Sequence, residues 1–396
     1  RVLFRSVGSK YLSETRTTHQ FGKFLRDEKI SDSFKNILQK WLNHRYLNLA
    51  PAIGVDFYGR KLMIKMTRRA AIVSAAALSL VAGAATPAFA DKLTFTLATS
   101  GSETDQRSVA MAEVFAPMVA DFADYQPGYN GTLFAQGTEL EAISRGNLTM
   151  SIASAQEMAQ FFPEFSIFAT GYVHQDAAHQ VRVFNDPLMD AFKAKAEEEL
   201  GVKLLSVMYL GRRHVNLRQT RDELNVQTPA DLAGVNLRMP GTDSWQFLGK
   251  ALGAAPTPMA FTEVYTALST GAVDGQDNPL PTVVDAKFYE VTKQIALTSH
   301  LVDLNYIAFS KEVWDGLSAD QQLTVQRAAD AAAAYGRLKQ LDKENNLADF
   351  IRSQGVEIYT PDLEAFRTHV QAQYVGSEVA ATWPEGVLEQ INALGN

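Results

Sequence analysis

Residues 228–279 read TPADLAGVNLRMPGTDSWQFLGKALGAAPTPMAFTEVYTALSTGAVDGQDNP, and the rest of the chain is organised around this stretch. A short apolar run from Val235 to Arg238 is broken by Pro240-Gly241, and the polar segment Asp274-Gly275-Gln276-Asp277-Asn278, read as a turn, closes the stretch. A strand that stops at Pro240 leaves Arg238 at its carboxyl end, where open α/β sheets present side chains to a crevice. Arg238 follows Val235 and Leu237 in an alternating run, which assigns its side chain to their face, away from Asn236, and so to the interior. Most arginines are solvated or ion-paired. A desolvated guanidinium without a counter-ion costs several kcal/mol, so such a site is stable only open and wet or closed around an anion. A carboxylate suits it best, because the planar fork meets both oxygens in parallel charge-assisted hydrogen bonds.

Several spaced words extend this reading: Asp231-Leu232-x-Gly234-x-x-Leu237-Arg238-x-Pro240, Leu252-Gly253-Ala254-x-Pro256-Thr257-Pro258, Glu263-Val264-Tyr265-x-Ala267-Leu268 and Val273-Asp274-Gly275-Gln276-Asp277-Asn278-Pro279. In this order they resemble the extracytoplasmic solute-binding subunit of TRAP transporters, and the resemblance extends more loosely from about Asp91 to the end. It implies an α/β, two-lobed, periplasmic-binding-protein-like (type II) fold with a hinge and a long lobe-spanning helix. It also implies a partnership with small and large membrane subunits, to which the protein delivers an organic acid. By the same resemblance Arg238 grips the substrate carboxylate, Asn278 hydrogen-bonds it from the facing turn, and Phe261 lines the pocket. The word Gly211-Arg212-Arg213-His214 marks the crossing between lobes and makes Arg213 the second site arginine, with Arg218 and Arg221 as alternatives. The expected division is 91–210 with about 305–343 as lobe I, and 211–304 with about 344–396 as lobe II.

Residues 66–90, MTRRAAIVSAAALSLVAGAATPAFA, join a basic start at Arg68 and Arg69 to an apolar stretch and a small-x-small site ending at Ala90. This is the pattern of a secretory signal peptide, and its apolar stretch is shorter than the roughly 18–20 residues of a spanning helix. Both Sec and twin-arginine export fit. A leader acts at a nascent N-terminus, so residues 1–65 are expected to be upstream or non-native sequence, and the mature, periplasmic protein to begin at Asp91. Residues 1–90 hold fifteen of the 37 Lys+Arg and five of the 44 Asp+Glu, which leaves twenty-two against thirty-nine, or −17, for residues 91–396. So acidic a body is unsuited to nucleic acid. The absence of cysteine excludes a disulfide framework, a thiolate nucleophile and Cys-type metal sites.

Lys92 to Ala98 alternates as a first strand, followed by a helix from about Asp105 to Phe122 with a kink at Pro117. Tyr129 to Phe134 reads as a second strand, Glu139 to Arg145 as a helix and Thr149 to Ala153 as a third strand, implying βαβ units and a parallel sheet. Ser100, Ser102, Glu139, Ser154 and Gln156 fall in or beside the loops after these strands; each alone is a cap or turn residue, and together they are secondary contacts to a ligand. Phe161, Phe162, Phe165 and Tyr172 are read as core. One amphipathic helix is expected over Ala177 to Leu200, strands over Val202 to Met208 and Leu301 to Phe309, and a helix over Phe261 to Leu268 stopped by Gly271. Trp245 shares a helical face with Leu248 and Leu252, which favours packing, with stacking over a ligand as the alternative. Ser318-x-x-Gln321 is a capping box opening a helix to about Ile351. A strand over Val356 to Tyr359 and helices over Pro361 to Tyr374 and near Gly386 to Ala393 complete the fold.

No zincin spacing, G-x-S-x-G elbow, P-loop or dinucleotide fingerprint follows a strand. Asp274 and Asp277 make a poor glycosidase pair, because neighbouring arginines lower the pKa that a general acid needs raised. The reading is therefore a monomeric binding protein, neither enzyme nor metalloprotein, without cofactor, whose ligand is a small carboxylate. Four-carbon diacids, 2-oxo acids, sialic acids and sugar acids all fit, and sugar acids are favoured by the polar residues after the early strands. Two alternatives are a sensor presenting an acid to a membrane receptor, and a compatible-solute binder using an aromatic cage of Trp245, Phe261 and Tyr172.

Overall fold

Two strands, one of sixteen residues and one of seventeen, run through the whole molecule and set its plan. The structure is a computed structural model and describes residues 92–395; the segments read as upstream sequence (1–65) and leader (66–90) lie outside the described residues. The strands are β1 Leu93–Ala98, β2 Ala123–Gly128, β3 Met150–Ser154, β4 Val202–Leu217, β5 Asn236–Met239, β6 Ala255–Pro258, β7 Gly275–Asn278, β8 Gln294–Ser310 and β9 Glu357–Tyr359. They form one nine-stranded sheet in the order β2-β1-β3-β8-β4-β7-β5-β6, with β9 beside β8.

The sheet is mixed, which corrects the expectation of a parallel one. Each half keeps parallel pairs, β2–β1–β3 and β7–β5–β6, but β4 and β8 run antiparallel to each other, to β7 and to β3 respectively. The expected strands at Val202–Met208 and Leu301–Phe309 were each only part of these two. Their register shifts at Leu204/Ser206, Tyr209/Gly211 and Arg213/Val215, and such bulges bend and twist a long pair. Gly211 occupies one shift at φ 129, where a Cβ would come within 2.5 Å of Glu344 Oε1 and 2.7 Å of Pro279 Cβ.

Burial on both faces explains the apolar content of the central strands. On β8, Leu304, Tyr306 and Ala308 enter one core with Phe165, Phe168 and Phe192, while Ile307 and Phe309 enter another with Phe95, Phe115 and Val325. The second half has its own pair of cores, one around Leu237, Trp245 and Leu248 and one around Val264, Leu268 and Phe288. Two larger cores on each half of one sheet give a two-lobed α/β molecule.

The long helix is present as Ala319–Asn346, opened by the reciprocal Ser318–Gln321 capping box. Its stripe of Ala328, Ala329, Ala332, Ala333 and Gly336 is buried, and at Gly336 a Cβ would stand 3.1 Å from Ala110, so small residues let the helix lie close. Near its end Glu344 accepts hydrogen bonds from Tyr209 Oη at 2.5 Å and Arg212 N at 2.6 Å, and Lys343 pairs with Asp285 at 3.1 Å. The helix thus braces the point where β4 passes from one half to the other.

Three local expectations fail for identifiable reasons. The second strand is Ala123–Gly128, not Tyr129–Phe134: it is an edge strand, where Pro127 is tolerated, and Asn130 and Gly131 at φ 55 and 65 turn the chain. The single helix over Ala177–Leu200 is split at Pro187 into Ala177–Asn185 and Asp190–Glu199. The polar turn Asp274–Asn278 is largely β7, with every residue of Gly275–Asn278 buried. At Pro117, the missing N–H is accommodated by a π-helical turn, Met111–Phe115, just before it.

Candidate functional site

A cleft lined from both halves of the sheet, by Ser154 and Asn305 on one side and Arg238 and Asn278 on the other, lies between them. Arg238 enters it from β5. Val235, Leu237 and Met239 pack in the core behind that strand, so the pleat puts Arg238 on the opposite face, with Asn236. The alternation argument therefore assigned the wrong face. The burial it inferred holds, because Arg238 is 1% exposed through enclosure by the cleft rather than by the core. Its Nε and Nη2 donate to the Met259 carbonyl at 2.9 and 2.7 Å, and Nη2 reaches Gln136 Oε1 at 3.3 Å. It forms no ion pair with a carboxylate among the described residues. Burial accordingly depresses its pKa to about 9, an effect only partly offset by Asp277.

Arg213, expected as the second site arginine, lines the cleft but is differently held. Its Nε donates to Asp303 Oδ2 at 2.6 Å, and Nη1 donates to the Asp277 carbonyl at 2.7 Å and lies 3.3 Å from Asp277 Oδ2. Burial alone would lower its pKa, yet Asp277 and Asp303 raise it. Only Nη2 makes no hydrogen bond among the described residues. Arg213 therefore joins a buried charge cluster that includes His300 Nε2, 3.2 Å from Asp277 Oδ2, and it can offer one N–H edge rather than an uncompensated charge. Arg218 and Arg221, the alternatives, do not line the cleft; Arg221 pairs at the surface with Glu357.

Asn278 and Trp245 complete this side. Asn278 Nδ2 donates to Gln276 Oε1 (2.6 Å), Gln276 Nε2 to Asn216 Oδ1 (2.9 Å), and Asn216 Nδ2 to the Gln294 carbonyl (2.9 Å). Since a carbonyl can only accept, it fixes the orientation of each amide in turn, ending at the cleft. Trp245 is both core and wall: it packs with Leu248 and Leu252, and the Arg213 guanidinium stacks 4.3 Å from its ring. Phe261 lines the cleft at the start of a 3-10 turn, 6.0 Å from the Arg238 guanidinium. Tyr172 does not: its hydroxyl donates to the Thr298 carbonyl, so the aromatic cage of the compatible-solute reading is not assembled.

Across the cleft, Ser100 and Ser154 line the wall as expected. Ser154 is also the N-cap of a short helix, exchanging hydrogen bonds with Glu157. Glu139 and Gln156 are buried but do not reach the lining. Burial, then the nearby Glu157, pushes the Glu139 carboxyl up to about 8; for the two unpartnered amide atoms of Gln156 the structure offers no physical account. Sequence reading missed Arg107, Gln136, Glu157, Asp303 and Asn305, all of which line the cleft. Asp303 and Asn305 had a signal, as two polar residues inside the apolar run Leu301–Phe309. Arg107, Glu157 and Gln136 had none.

An arginine without a carboxylate partner, in a cleft between two α/β lobes, defines a solute-binding protein of the two-lobed class. The family model described as bacterial extracellular solute-binding protein, family 7, matches residues 106–378, and the chain belongs to that family. It is the substrate-binding subunit of a TRAP transporter and not an enzyme. It is 32% identical over 235 residues to the sialic acid-binding periplasmic protein SiaP of Vibrio cholerae, covering 59% of this chain and 72% of that one. Among solved structures, it matches a TRAP periplasmic solute-binding protein from Roseobacter denitrificans with bound 3-deoxy-D-manno-oct-2-ulosonic acid at 77% identity and TM-score 0.77, covering 77% of this chain and all (100%) of the other. A Sulfitobacter protein with bound β-D-galacturonate matches at 25% identity and TM-score 0.68, covering 76% and 98%.

Proposed function

We propose that this protein captures a sugar acid, with 3-deoxy-D-manno-oct-2-ulosonic acid as the leading substrate, and hands it to the small and large membrane subunits of its transporter. The observation that carries this reading is Arg238, buried at 1% exposure with its charge-assisted bonds going to a carbonyl and an amide and none to a carboxylate. The ligand carboxylate completes it, with Arg213 Nη2 and the second hydrogen of Asn278 Nδ2 as additional donors and Phe261 and Trp245 as apolar walls. The choice of acid is supported by the ligand of the 77% identical relative.

The lobes are 91–210 with about 305–343, and 211–304 with about 344–396, hinged where β4 and β8 cross between them. Ligand in the cleft stabilises the closed state through bonds made from both sides. Hydrogen bonds to charged groups contribute about 1.5–3 kcal/mol each, enough for two or three to shift a hinge equilibrium of a few kcal/mol. The protein acts as an exported, periplasmic monomer after cleavage at Ala90. Calorimetry with 3-deoxy-D-manno-oct-2-ulosonic acid tests the reading: the wild type binds, and Arg238→Lys, which keeps charge but loses the fork, binds at least about tenfold more weakly. Equal affinities, or no binding by the wild type, would overturn it.

A further inference from the structure

The wall facing Arg238 is built of groups that suit hydroxyls and oppose a second acid. Arg107 is held by Asp105, with Nε and Nη2 donating to its carboxylate at 2.9 and 2.7 Å, and donates Nη1 to Asn305 Oδ1 at 2.7 Å. That last bond fixes the Asn305 amide, so its NH2, which makes no hydrogen bond among the described residues, is the end left to the cleft. Beside it, Glu157 uses Oε2 to accept the Ser154 N–H at 2.7 Å, and Asp303 uses Oδ2 to accept from Arg213. Glu157 Oε1 and Asp303 Oδ1 have no partner in the described residues, yet neither is among the atoms shut away from solvent. Both residues line the cleft. Beside the hydroxyls of Ser100 and Ser154, its open groups on this side are therefore one amide donor and two carboxylate acceptors, a pattern that hydroxyls, which both donate and accept, can satisfy.

Charge sharpens the point. Arg107, Arg213 and Arg238 face Asp105, Asp277, Asp303 and Glu157, and the first two arginines are already ion-paired. One ligand carboxylate completes Arg238; a second has no cation to meet and lies against Glu157 and Asp303.

Resting on the capture reading above, we propose that Asn305, Glu157 and Asp303 form a hydroxyl-reading wall that restricts this protein to polyhydroxy monocarboxylates and rejects dicarboxylates. The ligand enters with its single carboxylate on Arg238, and its hydroxylated end accepts from Asn305 Nδ2 and donates to the two carboxylates. Bringing like charges together across a desolvated site is costly enough to separate mono- from diacid by about a hundredfold.

Calorimetric titration of the purified protein with 3-deoxy-D-manno-oct-2-ulosonic acid and with galactarate, a polyhydroxy diacid, tests this. The wild type is expected to bind the first at least about a hundredfold more tightly. Glu157→Gln, near-isosteric and able to keep the bond to Ser154 N, should narrow that gap at least about tenfold. Asn305→Asp keeps the acceptor for Arg107 but replaces the open donor by a carboxylate oxygen, and should weaken the monoacid at least about tenfold while the melting temperature holds. Galactarate binding as well as the monoacid, an unchanged gap in Glu157→Gln, or an unchanged monoacid affinity in Asn305→Asp overturns the wall and leaves carboxylate capture standing. A wild type that binds neither acid overturns both.

Discussion

Replacing Arg238 by methionine should make the empty protein more stable while abolishing its function. The pKa of Arg238 falls from 12.5 to about 9 on burial, and at about 1.4 kcal/mol per unit this is on the order of 5 kcal/mol held against the charged form. Arg238→Met removes that penalty but leaves the Met259 carbonyl, now accepting at 2.9 and 2.7 Å, without its donor, a cost of about 1–3 kcal/mol. The remainder favours the variant by about 2–4 kcal/mol, or a rise in Tm of about 3–6 °C for a chain of this size. Binding moves the other way. Losing two charge-assisted hydrogen bonds to a carboxylate removes about 3–6 kcal/mol, a hundred- to ten-thousand-fold increase in Kd by the same estimate. Differential scanning calorimetry with and without 3-deoxy-D-manno-oct-2-ulosonic acid reads both effects: a higher Tm without ligand, and no ligand-induced shift. A variant that melts lower than wild type when empty, yet still gains stability from the acid, would refute the reasoning and make Arg238 a structural residue.

Three further outcomes follow from the geometry. Glu139, raised from 4.5 to about 8, holds its proton in the folded state where the unfolded chain has lost it. Its cost is absent below about pH 4.5, grows as pH rises towards 8 and is constant above, with a ceiling on the order of 5 kcal/mol; Glu139→Gln should flatten the fall in Tm between pH 5 and 8, and an unchanged slope would remove Glu139 as its source. Gln136 Oε1 bridges the cleft, accepting from Arg238 Nη2 at 3.3 Å and Phe261 N at 2.9 Å. Gln136→Ala should therefore weaken the closed state and raise Kd for the sugar acid about tenfold, whereas an unaltered Kd would make the bridge irrelevant to closure. Gly211→Ala would press a Cβ to within 2.5 Å of Glu344 Oε1 at φ 129, so urea unfolding should show a loss of about 3 kcal/mol or more; a loss below about 1 kcal/mol would mean the crossing relaxes freely.

The end of β5 and its arginine were legible because a strand, a proline-glycine break and a lone charge are all local facts. The Ser318 capping box and the helix it opens were legible for the same reason. Gly275–Asn278 was not: a run of polar residues reads as a turn unless the partners that satisfy it are known. For Gln276 that partner is Asn216 on β4, itself held by the Gln294 carbonyl on β8, both distant in sequence. The ion pairs of Arg213 were illegible in the same way, since Asp277 and Asp303, which neutralise it, reach it only through β7 and β8. Arg238 lies one and three positions from Leu237 and Val235, so strict period-two alternation puts it with Asn236, and assigning it to the apolar face broke the alternation it invoked. What sequence conveys here is the position of charges along the chain. Which of them are already paired depends on the sheet order.

The central claim is that Arg238 waits for a ligand carboxylate. It is tested most directly by a crystal structure of the protein with 3-deoxy-D-manno-oct-2-ulosonic acid. The account predicts both carboxylate oxygens about 2.7–3.0 Å from guanidinium nitrogens of Arg238, with the hydroxylated end against Asn305 and Glu157. A ligand whose carboxylate lies away from Arg238, with that side chain still bonded only to Met259 and Gln136, would contradict it.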